Sequence, residues 1–162
     1  MNTMQIIIMR HGDAEPIKLN DKERNLSSLG EKQAQQAGRW LNKYYAASKG
    51  IELALVSPYQ RAQQSYYQLA TQVKVARKEI CEDIVPEGSS KLVHDYIDYL
   101  IAQNKVERNL LLVSHMPFVS YLFDELCGLG ESLLFSTSSC AIVEYVPETL
   151  SAQLIELYYP NS

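Results

Sequence analysis

The sequence predicts an α/β fold built on a mainly parallel sheet. Two observations carry this expectation. An apolar, β-branched run, Ile6-Ile7-Ile8-Met9, stops at Arg10-His11-Gly12, as a buried strand does where it reaches the edge of its sheet. The same order of apolar run, polar group and helix-period segment returns at Val56-Ser57-Pro58 and at Val113-Ser114-His115. Strands that alternate with helices in this way form parallel sheets, and their ligand crevices open at the carboxyl ends of the strands.

The elements follow in order. After the first strand, residues 14 to 25 are polar, with Pro16 as a breaker, and set Lys18, Lys22 and Arg24 against Glu15, Asp21 and Glu23. This reads as a solvated loop beside the crevice mouth. A helix opens at Leu26-Ser27-Ser28-Leu29-Gly30-Glu31, where Ser28 with Glu31 fits a capping box and Ser27 is an alternative cap. Ala34, Ala37, Leu41 and Tyr44 continue it at helical spacing, and Gly50 is a C-terminal stop. Leu53 to Val56 is the second strand. Ser57-Pro58 then reads as a cap and first helical residue, with Arg61 in the first turn and Ala62, Tyr66, Leu69 and Val73 on the buried face. Lys74 to Ile80 can hold a short edge strand, and residues 81 to 88 read as a loop with a turn. A third helix spans Ser90 to Asn104, with Leu92, Val93, Tyr96, Ile97, Leu100 and Ile101 inward and His94 as a surface residue without a chemical role. Asn109 to Ser114 is a strand, followed by His115, Met116-Pro117 and a helix that buries Val119, Leu122, Phe123 and Leu126 before Gly128. Ser139 to Val146 and Leu154 to Tyr158 close the sheet.

Composition narrows the function classes. The 162 residues suffice for one ordinary domain with a real core, and a net charge of −4 does not suggest nucleic-acid binding. No apolar stretch is long enough to span a membrane. Met1 to Gln5 has no basic region and runs straight into the first strand, which argues against a signal peptide and for the cytosol. Cys81, Cys127 and Cys140 are too few and too widely spaced for a disulfide framework or a zinc site, so they read as reduced thiols.

Arg10, His11, Arg61 and His115 should therefore meet at one edge of the sheet. Two guanidiniums and two imidazoles, with no carboxylate among them, describe an anion site, because the planar arginine fork matches phosphate oxygens. A histidine inside such a cradle points to nucleophilic attack on phosphorus. Phosphoryl transfer asks mainly for positioning and charge stabilisation. Neither a Walker-type glycine loop nor an acidic metal cluster is present, so no cofactor or metal is expected.

The chain resembles the histidine phosphatase (phosphoglycerate-mutase-like) superfamily, and within it the short SixA-type phosphohistidine phosphatases. The resemblance rests on Met9-Arg10-His11-Gly12-Asp13-Ala14, Arg24-Asn25-Leu26-Ser27-Ser28-Leu29-Gly30, Val56-Ser57-Pro58-Tyr59-Gln60-Arg61-Ala62 and Val113-Ser114-His115-Met116-Pro117. It implies a three-layer sandwich with a mostly parallel central sheet and helices on both faces, as a single histidine phosphatase domain over residues 1 to 162. It implies His11 as the phosphate-accepting nucleophile, Arg10 and Arg61 as the phosphoryl clamp, and His115 as a further contact. Gly12 and Arg24 fall to substrate binding. Asp13-Ala14 after Arg-His-Gly, and the absence of a long insert between Arg61 and His115, favour the SixA branch. The counterpart of the superfamily's general acid is Asp83, with Glu82 beside it, or Asp21 in the first loop. Imidazole leaves more readily than an alkoxide, so a phosphohistidine substrate needs little help from an acid. The resemblance implies a cytoplasmic monomer acting on a phosphorylated histidine-containing phosphotransfer domain or phosphocarrier protein. The alternatives are a small-molecule phosphomonoesterase or mutase on the same scaffold, and a phosphohistidine-binding module without turnover.

Overall fold

In the computed structural model of the chain, described for residues 2–17, 19–46, 48–128, 130 and 133–161, the apolar runs become the middle of one sheet. Lys18 of the first loop lies outside the described residues. The strands are β1 (Met4–Arg10), β2 (Ile51–Val56), β3 (Val75–Ile80), β4 (Asn109–Ser114), β5 (Cys140–Val146) and β6 (Ser151–Tyr158), in the order β3-β2-β4-β1-β5-β6. β1 pairs with β4, β4 with β2, and β2 with β3, all parallel. β5 is antiparallel to β1, and β6 is antiparallel to β5. Four helices accompany the sheet among the described residues: α1 (Ser28–Leu41), α2 (Gln60–Ala70), α3 (Ser90–Ala102) and α4 (Phe118–Cys127).

The central strands are apolar on both faces because both faces are covered. Ile7, Met9, Ala54, Val56, Leu111 and Val113 pack beneath Ala34, Ala37 and Leu41 of α1 and Ala62, Tyr66 and Leu69 of α2. Their neighbours Ile6, Ile8, Leu53, Leu55, Leu110 and Leu112 point the other way, onto Val93, Ile97 and Leu100 of α3 and Val119, Leu122 and Phe123 of α4. The period-two alternation of a strand thus divides one sequence run between two cores. The result is the three-layer arrangement expected, with a mostly parallel sheet.

The helix boundaries show what local pattern resolves and what it leaves open. Ser27 is the cap of α1, accepting the Gly30 N–H at 3.1 Å. A π-helical stretch, Asn42–Ala46, prolongs that helix, and the Gly50 N–H closes on the Ala46 carbonyl at 2.7 Å. Gly128 ends α4 in the left-handed region, at φ 70°. Ser57 does not cap α2: that helix starts at Gln60 behind Tyr59 with no side-chain cap, and the serine hydroxyl is engaged elsewhere.

α3 departs from expectation at two residues. Leu92 is 59% exposed, whereas His94, expected at the surface, is buried at 7%. Nε2 of His94 lies 2.8 Å from the Tyr145 hydroxyl and Nδ1 lies 3.1 Å from a Glu125 oxygen, while Tyr145 also donates to Asp98. The histidine therefore joins α3, α4 and β5 in one polar network. A buried imidazole is tolerable because each ring nitrogen has a partner. Those partners lie 31 and 51 residues away in the chain, beyond the reach of any local pattern.

Candidate active site

Strands that end at the same edge deliver the functional side chains, directly or through the helix that follows. His11 directly follows β1, and its N–H continues the ladder onto the Ser114 carbonyl at 2.9 Å. His115 follows β4, the parallel neighbour of β1. Ser57 follows β2 and donates its N–H to the Val113 carbonyl at 3.0 Å. Arg61 comes in from the first turn of α2. Arg10, His11, Arg61 and His115 are thereby brought together, with the two imidazole centroids 5.1 Å apart.

The tautomer of His11 is fixed by its neighbours. Nδ1 lies 2.7 Å from the Gly12 carbonyl, which can only accept, so Nδ1 carries the hydrogen. Nε2 then presents a lone pair, and it receives the Nε–H of Arg61 at 3.2 Å. The ring is 4% exposed. Burial above all brings its pKa down to about 4; the hydrogen bond to the Gly12 carbonyl opposes it as the next-largest influence, and the fields of Arg61, Arg10 and Arg24 add smaller downward pulls. Burial, His11 and the same arginines bring His115 down to about 2. Both rings are therefore neutral near pH 7.

The arginines are held by backbone as well as by side chains. Arg10 Nη1 donates to the Phe135 carbonyl at 2.9 Å. Arg61 Nη1 donates to the Asp21 carbonyl at 2.7 Å, and Nη2 to Asp21 Oδ2 at 3.2 Å. Asp21 begins a single 3-10 turn, Asp21–Glu23, and its other carboxylate oxygen lies 3.7 Å from Arg24 Nε. Burial is the main influence lowering the pKa of Arg10, followed by repulsion from Arg61 and Arg24. A guanidinium stays charged under such a shift.

Several buried nitrogens here lack a hydrogen-bond partner among the described residues: Nε of Arg10, Nδ1 of His115, and Nε of Arg24, which has only its 3.7 Å ion pair with Asp21. On the far side of the His115 ring, Nε2 lies 2.7 Å from Ser57 Oγ, which also accepts the Tyr59 N–H at 3.2 Å. Orphaned buried donors are rare in a finished protein interior and imply an absent acceptor. Together with two guanidiniums they fit a tetrahedral oxyanion. Among the described residues no group of histidines, cysteines and carboxylates has the arrangement of a metal site.

The remaining expected residues lie around this centre. Gly12 gives its N–H to Ser65 Oγ at 2.9 Å. A Cβ at Gly12 would meet the Gly30 carbonyl at 2.7 Å, so the glycine lets α1 close onto the turn that follows His11. Of the three acid candidates, Asp21 is the one bonded to Arg61. Glu82 and Asp83 sit in a loop tied to the same edge, because the Cys81 N–H reaches the Val56 carbonyl and the Ser114 hydroxyl donates to the Ile84 carbonyl at 2.6 Å. Sequence reasoning missed three members of the site. Ser57 was read as a cap, although its place after a strand, level with His11 and His115, was a usable signal. The Phe135 carbonyl and the face of Tyr59, whose ring meets His115 edge-on at 4.9 Å, carried none.

Known proteins match this arrangement. The model of the histidine phosphatase superfamily (branch 1) fits residues 6–84. A SixA homolog of Haemophilus influenzae, named a phosphohistidine phosphatase, is 36% identical over 85% of this chain and 86% of its own length. The phosphohistidine phosphatase SixA of Escherichia coli K12 is 33% identical over 86% of this chain and 84% of its own. The structure of the protein histidine phosphatase SixA complexed with tungstate superposes with a TM-score of 0.89 at 30% identity, covering 97% of each chain. No helix among the described residues is long and apolar enough to cross a membrane. Since these relatives share both sequence and architecture over most of the chain, it belongs to the histidine phosphatase superfamily, in the SixA group.

Proposed function

We propose that the chain is a single-domain phosphohistidine phosphatase that acts through a phosphorylated His11. The observation that carries this reading is the Nε2 lone pair of His11, held unprotonated and facing Arg61, among orphaned donors of Arg10 and His115. The phosphoryl group of the substrate enters with its oxygens on Arg10, Arg61 and Nδ1 of His115. Ser57 donates to Nε2 of His115, so that Nδ1 keeps its hydrogen for the oxyanion. Nε2 of His11 forms a bond to phosphorus as the P–N bond of the substrate breaks, and the departing imidazole takes a proton from solvent. Water then attacks the phosphorus on His11, releasing inorganic phosphate and restoring the neutral ring. The SixA relative is complexed with tungstate, a tetrahedral oxyanion, which supports an oxyanion as a ligand of this fold. The relatives' names support phosphohistidine as the substrate, carried on a protein in the case of the tungstate complex. A small-molecule phosphomonoesterase is the second reading, favoured only by the loop of Glu82 and Asp83 at the site edge.

The test is kcat/KM for a phosphohistidine protein, a phosphoserine peptide and a sugar phosphate, with the first expected to lead. His11→Ala should lose turnover and acid-labile labelling from phosphorylated substrate. A preference for the sugar phosphate, or robust labelling of that variant at another residue, overturns the reading.

A further inference from the structure

Ser65 is fully buried on α2, and its hydroxyl makes two hydrogen bonds. It donates to the Arg61 carbonyl at 2.7 Å, four residues back along the helix. A serine that bonds back onto its own helix is an ordinary feature. The second bond is not local. With its hydrogen committed to Arg61, the Ser65 oxygen accepts the Gly12 N–H at 2.9 Å, 53 residues away in the chain. Gly12 in turn offers its carbonyl to Nδ1 of His11 at 2.7 Å, and Nε2 of His11 accepts the Nε–H of Arg61 at 3.2 Å. Four residues therefore form a closed circuit: His11 donates to Gly12, Gly12 to Ser65, Ser65 to Arg61 and Arg61 to His11. Its direction is fixed, because the Gly12 and Arg61 carbonyls only accept, while the Gly12 N–H and the guanidinium only donate. Neighbouring peptide groups have anchors of other kinds. The His11 N–H bonds the Ser114 carbonyl, the His11 carbonyl receives the Ser138 N–H, and the Asp13 N–H bonds Gln33 Oε1 at 2.8 Å. Gly12, with the widest backbone freedom of the three, is held by the serine hydroxyl.

We propose that Ser65 is a positioning residue for the reaction: by fixing Gly12 it keeps the lone pair of His11 on Nε2 and level with Arg61. This role presupposes His11 as the nucleophile of the proposed function. Ser65 acts through Gly12 rather than on the substrate. Without its hydroxyl the Gly12 N–H is left buried and without that acceptor. A glycine turns readily about its two dihedrals to find another, and such a turn moves its carbonyl off Nδ1 of His11. The imidazole then loses the acceptor that keeps its hydrogen on Nδ1. In the other tautomer the hydrogen sits on Nε2, where it opposes the Nε–H of Arg61 and leaves no lone pair for phosphorus. The same hydroxyl ties the helical turn that carries Arg61 to the turn that follows His11. The attacking nitrogen and one arm of the phosphoryl clamp thus share a single anchor.

The experiment compares wild type with Ser65→Ala, Ser65→Thr and Ser65→Cys, on a histidine phosphotransfer domain phosphorylated with phosphoramidate. Alanine removes the hydroxyl and threonine keeps it. Cysteine keeps most of the volume, but its sulfur accepts only weakly. Ser65→Ala should lose about tenfold to a hundredfold in kcat, with KM within about twofold, because misplacing a reacting group costs rate rather than affinity. Ser65→Cys should fall in the same direction, and Ser65→Thr should recover most of the loss. Two-bond proton–nitrogen NMR reads the tautomer directly. His11 should carry its hydrogen on Nδ1 in wild type and divide it between Nδ1 and Nε2 in Ser65→Ala. Unchanged kcat in Ser65→Ala overturns the proposal. So does a fall in kcat with the His11 tautomer unmoved, a loss confined to KM, or a stably folded threonine variant no better than alanine. Where Ser65→Ala does not fold, Ser65→Cys takes its place with the same expected outcomes. Failure of both to fold makes the serine a purely structural residue and also overturns the proposal. His11→Ala that retains turnover and acid-labile labelling overturns the nucleophile assignment itself, whatever the Ser65 variants do.

Discussion

The Nε–H of Arg61 is directed at Nε2 of His11 across 3.2 Å, so the guanidinium that would clamp the phosphoryl group also covers the lone pair that would attack it. Attack requires that hydrogen bond to be handed over to a phosphoryl oxygen. An imidazole kept neutral, oriented and occupied in this way is pre-organised for the proposed attack rather than merely nearby.

Arg61 is therefore expected to resist conservative replacement. Its three nitrogens bond His11 and Asp21 at once, and a lysine has one nitrogen to offer. Arg61→Ala should lose on the order of 10²-fold or more in kcat/KM, by comparison with other lost transition-state donors. Arg61→Lys should recover only part of that loss. Steady-state kinetics on a phosphohistidine protein decides it, and a fully active lysine variant would mean that charge alone matters there.

The histidines set the pH response. The folded-state pKa values, about 4 for His11 and about 2 for His115, lie below the ordinary value of 6.5. Above pH 6.5 both folded and unfolded forms are neutral and no stability depends on them. As pH falls below 6.5 the unfolded chain takes up protons that the folded chain refuses, so stability falls. One such proton costs about 1.4 kcal/mol per pH unit. Two-dimensional NMR of the imidazoles between pH 7.5 and 5 should find both rings neutral and untitrated. Denaturant titrations over the same range should find a slope that His11→Ala reduces by about one proton.

The acid candidates separate by what they touch. Asp83→Asn and Glu82→Gln should leave kcat/KM on phosphohistidine within about threefold, since imidazole needs little help to leave, while alkyl phosphate turnover falls about tenfold or more. Asp21→Asn should lower both substrates alike, because its carboxylate holds Arg61. Measured kcat/KM for each variant on both substrates distinguishes an acid from a positioning group.

His94 gives a prediction about stability alone. Its partner Tyr145 pairs with Met4 at the start of β1, whereas His11 follows the other end of that strand. His94→Ala leaves Glu125 short of a partner and opens a cavity under α3, and should cost about 2–4 kcal/mol. Denaturant unfolding should register that loss, with kcat/KM per folded molecule unchanged.

The convergence of Arg10, His11, Arg61 and His115 was legible in the sequence, because each ends a strand, directly follows one or opens a helix, and parallel topology carries such positions to one edge. Ile6 to Met9 was legible as a buried strand, whereas its division between two cores needed the helices on both faces. Ser57 was misread because its helix-capping chemistry and its reach to His115 use the same hydroxyl, and only the second is satisfied 58 residues away. His94 and Leu92 were exchanged because they flank the buried Val93 on opposite sides of the helix, so a small rotation of the apolar face decides which is covered, and Tyr145 and Glu125 made that choice.

The two clamp arginines lean on the main-chain oxygens of Asp21 and Phe135. Every amino acid supplies such an oxygen, so that part of the hold is indifferent to the letters written in the two loops. Substitutions in the two loops that keep their backbone paths therefore leave the main-chain grip on the guanidiniums in place.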